Sequence, residues 1–217
     1  MAKQRGRDQQ LPTLTEELKL ICQGYRFITG IDEAGRGAIA GPVVAGAVIL
    51  PQSIGTMAWS SSVRDSKELS PSKRCLLFDI IVREAVAVGI GIVDSETIDT
   101  IGILAATKLA MCRAVGQLVY RPDFLLIDCV TLPQLTVAQK SIIKGDKLSL
   151  SIACASIVAK VTRDRIMIEL DQCYPGYGLA DHKGYGTGQH LAQLRRLGPS
   201  PIHRCSFAPV RELIALP

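Results

Sequence analysis

Apolar and polar positions along this chain switch between two periods, and each switch marks an element. Thr13-Leu14-Thr15-Glu16 has the form of a capping box, and Leu14, Leu18, Ile21 and Cys22 follow on one helical face, which predicts a short helix. Residues 27–33, Phe27-Ile28-Thr29-Gly30-Ile31-Asp32-Glu33, predict a strand. A glycine-rich stretch follows, and residues 42–50 predict a second strand, apolar enough to be buried on both faces. Ser70-Pro71 places an N-cap before a proline at the first helical position, predicting a helix over 71–85. Val86 to Val93 is a third apolar run, ending in Asp94.

From Ile98 to Val119 the period is helical, with Leu104, Met111, Val115 and Leu118 along one face. Beyond Pro122, Phe124-Leu125-Leu126-Ile127-Asp128 predicts a fourth strand, and Lys140 to Asp146 a fifth. A long helix over 148–172 comes next, then a loop rich in Gly, Tyr and His, then a last helix over 187–197. The order is α-β-β-α-β-α-β-β-α-α. Tightly connected strand pairs coexist with helical crossovers, so the fold class is α/β with a mixed sheet covered by helices.

The chain has 217 residues, 47% of them hydrophobic, and carries no internal repeat, low-complexity block or linker. One domain over 13–217 is the expectation, preceded by a flexible basic arm at 1–12. The formal charge of +5 permits a polyanionic partner without requiring one. No run approaches the ~18 apolar residues of a membrane span, and the polar start lacks a signal peptide's apolar stretch. Seven scattered cysteines without a C-x-x-C pattern argue against a disulfide framework and a zinc cluster; reduced, buried thiols in a cytoplasmic protein are expected.

Three acidic positions close strand-like runs: Asp32-Glu33, Asp128 and Asp146. One alone reads equally as a solvated strand end. Converging at one sheet edge, such carboxylates repel unless a cation lies between them. Carboxylate oxygens suit Mg²⁺ or Mn²⁺, and four could hold two ions about 4 Å apart, the arrangement used for in-line phosphoryl chemistry. One feature opposes this: Asp32 and Glu33 are neighbours, and neighbours in a strand point to opposite faces. Asp164, in Lys160-Val161-Thr162-Arg163-Asp164-Arg165, reads from periodicity as a helical surface ion pair. Residues 140–165 hold six basic and two acidic side chains, net +4, which suits either a phosphate-facing stretch or a solvated helix face.

Gly35-Arg36-Gly37-Ala38-Ile39-Ala40 matches the G-x-G-x-x-A dinucleotide fingerprint after a strand, but Gly41-Pro42 and another strand-like run follow where a helix must open. A nicotinamide site is therefore disfavoured. The remaining readings are a backbone turn that meets a sugar or phosphate closely, and a plain β-turn.

Gly30-Ile31-Asp32-Glu33-Ala34-Gly35-Arg36-Gly37 with Ala40-Gly41-Pro42-Val43 resembles the opening motif of bacterial ribonuclease HII. The resemblance continues in family order through Asp65-Ser66-Lys67-Glu68-Leu69-Ser70, Ile127-Asp128, Lys144-Gly145-Asp146, residues 155–165, His182-Lys183-Gly184-Tyr185-Gly186-Thr187, and Pro201-Ile202-His203-Arg204 with Ser206-Phe207. It implies the ribonuclease H-like fold, a mixed five-stranded sheet flanked by helices with a C-terminal helical segment. It implies an endonuclease that hydrolyses the RNA strand of RNA–DNA hybrids and incises 5′ of single ribonucleotides in duplex DNA. The ends left would be 3′-hydroxyl and 5′-phosphate.

By position, the resemblance makes Asp32, Glu33, Asp128 and Asp146 the metal-binding carboxylates, with Mn²⁺ or Mg²⁺, and Asp164 a supporting catalytic acid. It assigns Gly35, Arg36 and Gly37 to sensing the ribose 2′-hydroxyl, Tyr185 to stacking on the sugar at the RNA–DNA junction, and Lys67 to a phosphate. Cys129 and Cys154 stand where the family often has smaller residues, from which only packing effects are expected. A monomer without membrane contact is the default. The reading from another class is a catalytically silent nucleic-acid-binding module on the same fold.

Overall fold

The computed structural model describes residues 11–215, so residues 1–10 of the expected basic arm lie outside it. In chain order the elements are α1 Thr15–Cys22, β1 Ile28–Ala34, β2 Val43–Ile49, α2 Pro71–Glu84, β3 Ala87–Val93, α3 Ser95–Ile101, α4 Ile103–Gly116, β4 Phe124–Asp128, β5 Ala138–Ile142, α5 Leu150–Cys173, α6 Leu179–His182, α7 Gly188–Leu197 and α8 Ala208–Ile214. Short 3-10 turns cover Gln52–Thr56, Ala58–Ser62 and Gly145–Lys147. The five strands form one sheet in the order β3-β2-β1-β4-β5, with β2 antiparallel to both neighbours and β1, β4 and β5 parallel. This is the mixed, helix-covered sheet the patterning predicts.

Helix α4 covers one face. Its Ala106, Ala110, Met111 and Ala114 pack on Ile31, Val43, Ala45, Leu125 and Ile127. Helix α5 covers the other, and with α2 closes over Val48, Leu77, Ile81, Ala153, Ile157 and Val158. Strand β2 is buried at every position, which is why it reads as an unbroken apolar run. Both helices sit very close to the sheet. A Cβ added at Gly30 would lie 2.1 Å from the Ser151 carbonyl carbon, and one at Gly46 would lie 2.5 Å from the Ala155 oxygen. Gly89 and Gly91 meet the carbonyls of Ala114 and Ala110 in the same way on the α4 side.

Several local expectations are corrected. The fifth strand ends at Ile142, so Asp146 lies not at a strand end but in the Gly145–Lys147 turn. Lys144, at φ 58°, takes the chain out of the sheet before it. The single helix expected over 98–119 is two, because Gly102 adopts φ 79° between α3 and α4; Leu104 on the expected inner face is exposed. Asp94 caps α3 by accepting the Thr97 N–H at 2.8 Å.

At the first helix the capping box does not form: Leu14 is the N-cap, without a side-chain bond, and Glu16 pairs with Lys19 and Lys140. Its inner face carries Glu17 and Leu20, not Leu18. The Glu17 carboxylate accepts from the Ser149 hydroxyl at 2.6 Å and the Ser151 N–H at 3.0 Å, and so caps α5 from outside that helix. Helix α8 lies beyond the last expected one. The cysteines are free, but only Cys154 is buried; five are exposed, Cys22 and Cys173 among them at helix ends.

The tight α5–β1 contact generates a stability prediction. Gly30→Ala should lower the free energy of unfolding by about 3 kcal/mol, the upper end of the overpacking range, read from the urea midpoint. A midpoint equal to wild type would mean that α5 does not ride on this glycine.

Candidate active site

Strands β1 and β4 are parallel, with Ile31 opposite Ile127, so Asp32 and Asp128 follow at matching positions on adjacent strands. Matching positions lie about 4.8 Å apart in a sheet and share a face. That face is the α5 side, because Gly30 and Leu126, two residues earlier on each strand, meet Ser151 and Ile152 of α5. Asp32 is buried, and its Oδ1 accepts the Glu33 N–H at 2.7 Å. Asp128 Oδ1 accepts the Gly145 N–H at 2.7 Å, and this bond brings the turn carrying Asp146 to the same edge. Glu33 has the opposite strand parity, yet at the strand's end it lines the same groove. That groove, of about 510 Å³, is bounded by Asp32, Glu33, Asp128, Lys67, Ser156 and Tyr185 together with the turn 35–37.

Burial pushes the Asp32 carboxyl well above the ordinary carboxylate range, with Glu33 and Asp128 adding repulsion and the Ser156 hydroxyl opposing. Glu33 is also raised, by burial first; Asp128 adds to the shift, whereas Arg36 and Lys67 oppose it. Asp146 is raised by burial and then by Asp65 and Asp128, against Lys67. Burial works to lower the Lys67 ammonium, but Asp65, Asp146 and Asp32 outweigh it, and its pKa is raised. Its Nζ lies 3.5 Å from Asp146 Oδ2 and 3.8 Å from Asp65 Oδ1.

Among the described residues no three carboxylate, thiol or imidazole side chains are drawn together into a closed metal cluster. The chemistry of the set nonetheless fits hard cations. The four acids at this edge are carboxylates, beside the exposed Cys129 thiol, and three of the four are held toward their protonated forms by burial and mutual repulsion that a divalent ion would relieve.

The turn beside the carboxylates is held from behind by two buried arginines. Arg163 donates to the carbonyls of Pro42, Ala40 and Lys183 at 2.8, 3.0 and 2.8 Å. Arg204 donates to Gly41 O and Arg36 O at 2.9 and 3.1 Å. Gly35 has φ 92°, and a Cβ there would fall 1.9 Å from Arg163 Nε, so glycine is required twice over. Gly37 differs: a Cβ there would meet no protein atom within 4 Å. The turn is tied to the Tyr185 loop by the Ile39 and Ala40 N–H groups, which both donate to Gly184 O, and Arg163 lies 5.4 Å from the Tyr185 ring centroid.

The sequence profile described as Ribonuclease HII matches residues 29–210. A ribonuclease HII of Dehalococcoides mccartyi is 55% identical over 203 residues, 94% of this chain and 95% of the relative. The chain belongs to the ribonuclease HII family. Another relative, the ribonuclease HII of Geobacter sulfurreducens, is 57% identical over 190 residues, 88% of this chain and 86% of its own. Among solved structures, ribonuclease H2 from Pyrococcus horikoshii superposes with a TM-score of 0.70 at 24% identity, covering 87% of this chain and 97% of that one. That likeness concerns the fold. As a ribonuclease HII, the chain is a metal-dependent hydrolase of the endoribonuclease kind.

On this frame Asp32, Glu33 and Asp128 line one groove with Lys67, Tyr185 and the turn Gly35-Arg36-Gly37, and Asp146 is joined to it through Lys67, 3.5 Å away, without lining it. Asp164 does not line their groove. It pairs with Lys160 at 2.6 Å one helical turn away and faces a neighbouring cleft with Arg165 and Asp181. Sequence reasoning assigned no role to Asp65, which is buried and pairs with Lys67 and Lys147. It also passed over Ser156, bonded to Ser66 at 2.9 Å, and the arginine pair. All four lie within the family motifs, which assigned them no role. Cys129 has φ 57°, so the residue following Asp128 is set by backbone conformation as well as packing, and glycine would suit it.

The raised carboxylates make a pH prediction. A folded pKa above the unfolded one means that the native state binds more protons, so these groups lose native stability as pH rises from about 4. In EDTA at pH 7.5, Asp32→Asn should therefore raise the thermal midpoint, and the gain should shrink toward pH 4. A lower midpoint at both pH values would contradict the assignment of repulsion to this site.

Proposed function

We propose that this chain is an endonuclease acting on the RNA strand of RNA–DNA hybrids and on single ribonucleotides embedded in duplex DNA, which it incises on the 5′ side. The convergence of Asp32, Glu33 and Asp128 in one groove with the glycine turn and Tyr185 carries this reading. Asp32, Glu33, Asp128 and Asp146 would hold Mg²⁺ or Mn²⁺. Bound there, the ions would activate a water for in-line attack on phosphorus and stabilise the leaving 3′-oxygen, leaving 3′-hydroxyl and 5′-phosphate ends.

The chain's own residues do the rest. The open side of Gly37 leaves backbone free to approach a 2′-hydroxyl, the atom that distinguishes RNA from DNA. Tyr185, braced on Arg163, offers its ring to the sugar at the junction. Lys67, kept protonated by the surrounding carboxylates, supplies charge for a phosphate. Asp164 acts indirectly, by holding Lys160 at the rim of the groove. The protein works as a cytoplasmic monomer whose residues 13–217 form one catalytic domain. Among the described residues no helix is long and apolar enough to cross a membrane.

Purified protein with a DNA duplex carrying one ribonucleotide tests this. Incision 5′ of that residue, present with Mg²⁺ or Mn²⁺ and lost in EDTA, is expected. Asp128→Asn should slow it by about 1,000-fold, roughly 4 kcal/mol of barrier, while keeping the fold. Binding without incision would favour the silent nucleic-acid-binding module, and near wild-type activity in Asp128→Asn would overturn the metal-site assignment. Gly37→Ala should leave stability within about 0.5 kcal/mol of wild type yet impair incision, since its space is open only to a ligand.

A further inference from the structure

All three histidines of the chain gather beneath the Tyr185 loop. Their hydrogen bonds leave one proton arrangement. His203 Nδ1 accepts the Ser200 N–H at 3.0 Å, so the His203 proton is on Nε2. That Nε2–H donates to His190 Nε2 at 3.1 Å, which must therefore be unprotonated. The His190 proton is then on Nδ1, where it donates to the Tyr185 carbonyl at 2.9 Å. His182 accepts the Gly184 N–H on Nδ1 at 3.2 Å, donates from Nε2 to Tyr177 O at 2.8 Å, and stacks on His190 with centroids 4.2 Å apart. His190 and His203 are both fully buried.

We propose that His190 and His203 are positioning residues: as a neutral pair in one fixed combination of tautomers, they hold Tyr185 at the groove and so set the preference for a ribonucleotide junction over a uniform hybrid. The inference rests on the reading of Tyr185 as the sugar-stacking residue. The Tyr185 carbonyl is the end of the chain Ser200–His203–His190–Tyr185. The Tyr185 N–H is fixed separately, to His182 O at 3.0 Å.

A proton added to His190 would set two N–H groups against each other, and one added to His203 would face the Ser200 N–H. The surroundings agree. Burial lowers the pKa of both rings, that of His203 to about 4 with His190 adding to the effect. The titratable group acting on both rings is His182, stacked on His190; the nearby cations Arg163 and Arg204 are engaged by backbone carbonyls of Lys183 and Arg36. The carboxylates on neighbouring elements, Asp171 and Asp99, are engaged by the amides of Leu179 and of Cys205 and Ser206.

Two measurements decide it. In ¹⁵N NMR of the wild-type protein, with the three rings assigned by single substitution, His182 and His203 should be Nε2–H, His190 Nδ1–H, and the His190–His203 pair should stay neutral down to pH 5.5. A pair that titrates near 6.5, or a different tautomer set, overturns the proposal without touching the reading of Tyr185. In cleavage assays, His203→Leu should reduce the ratio of single-ribonucleotide to long-hybrid cleavage about tenfold or more, as misplacement of a positioning group does. His203→Gln, which keeps an N–H donor toward His190, should restore most of that ratio. Equal losses on both substrates, or no rescue by Gln, overturn the positioning role. An unchanged ratio in Tyr185→Ala overturns the reading of Tyr185, and with it the selectivity claim, whatever the spectra show.

Discussion

The structure depends on how closely α5 lies against β1 and β2. Gly30 and Gly46 leave no room for a side chain, and the backbone of α5 occupies that space. This seam sets the height of the helix above Asp32, which shares a face with Gly30 and is paired across the sheet with Gly46. It puts Ser156 over the carboxylate, and seven residues further along α5 it puts Arg163 behind the glycine turn. A helix one side chain higher would bring neither to the edge. The Glu17 carboxylate caps the start of α5 from a separate helix and fixes its other end.

From that constraint follows an electrostatic layout with opposite signs in two zones. At the sheet edge, acids are crowded beyond what burial allows without a cation, and Lys67 stands among them. Behind the turn, two guanidiniums are buried on backbone carbonyls, where each multiplies its hold on the loop: six donated bonds pin residues 36, 40, 41, 42 and 183. The acidic zone carries the repulsion that a cation would relieve, and the arginines hold the glycine turn rigidly from behind. Both zones meet at Tyr185.

Much of this was legible in the sequence. The strands and the acids near the ends of β1 and β4 were read from periodicity, and the mixed character of the sheet from the connections between strands. What convergence needed was not local. Asp32 and Asp128 align only through parallel pairing across 96 positions, and Asp146 arrives through a bond from Gly145 to Asp128. Read from the residues alone, each acid stayed divided between ligand and strand end; the family motifs assigned them.

The misses have physical causes. Glu17 broke the helical pattern because a carboxylate was buried as a cap, Gly102 divided a helix through its backbone conformation, and Asp65 and the arginines act through loops that no spacing reveals.

The central claim is that repelling carboxylates make one cation site. Its most direct test is calorimetric titration of EDTA-stripped protein with Mn²⁺ at mildly acidic pH, in two buffers of different ionisation enthalpy. The account predicts that binding releases protons, because burial and mutual repulsion raise the pKa values of Asp32, Glu33 and Asp146, and that Asp32→Asn and Asp128→Asn weaken it. Mn²⁺ binding without proton release, or with unchanged affinity in both variants, would contradict it.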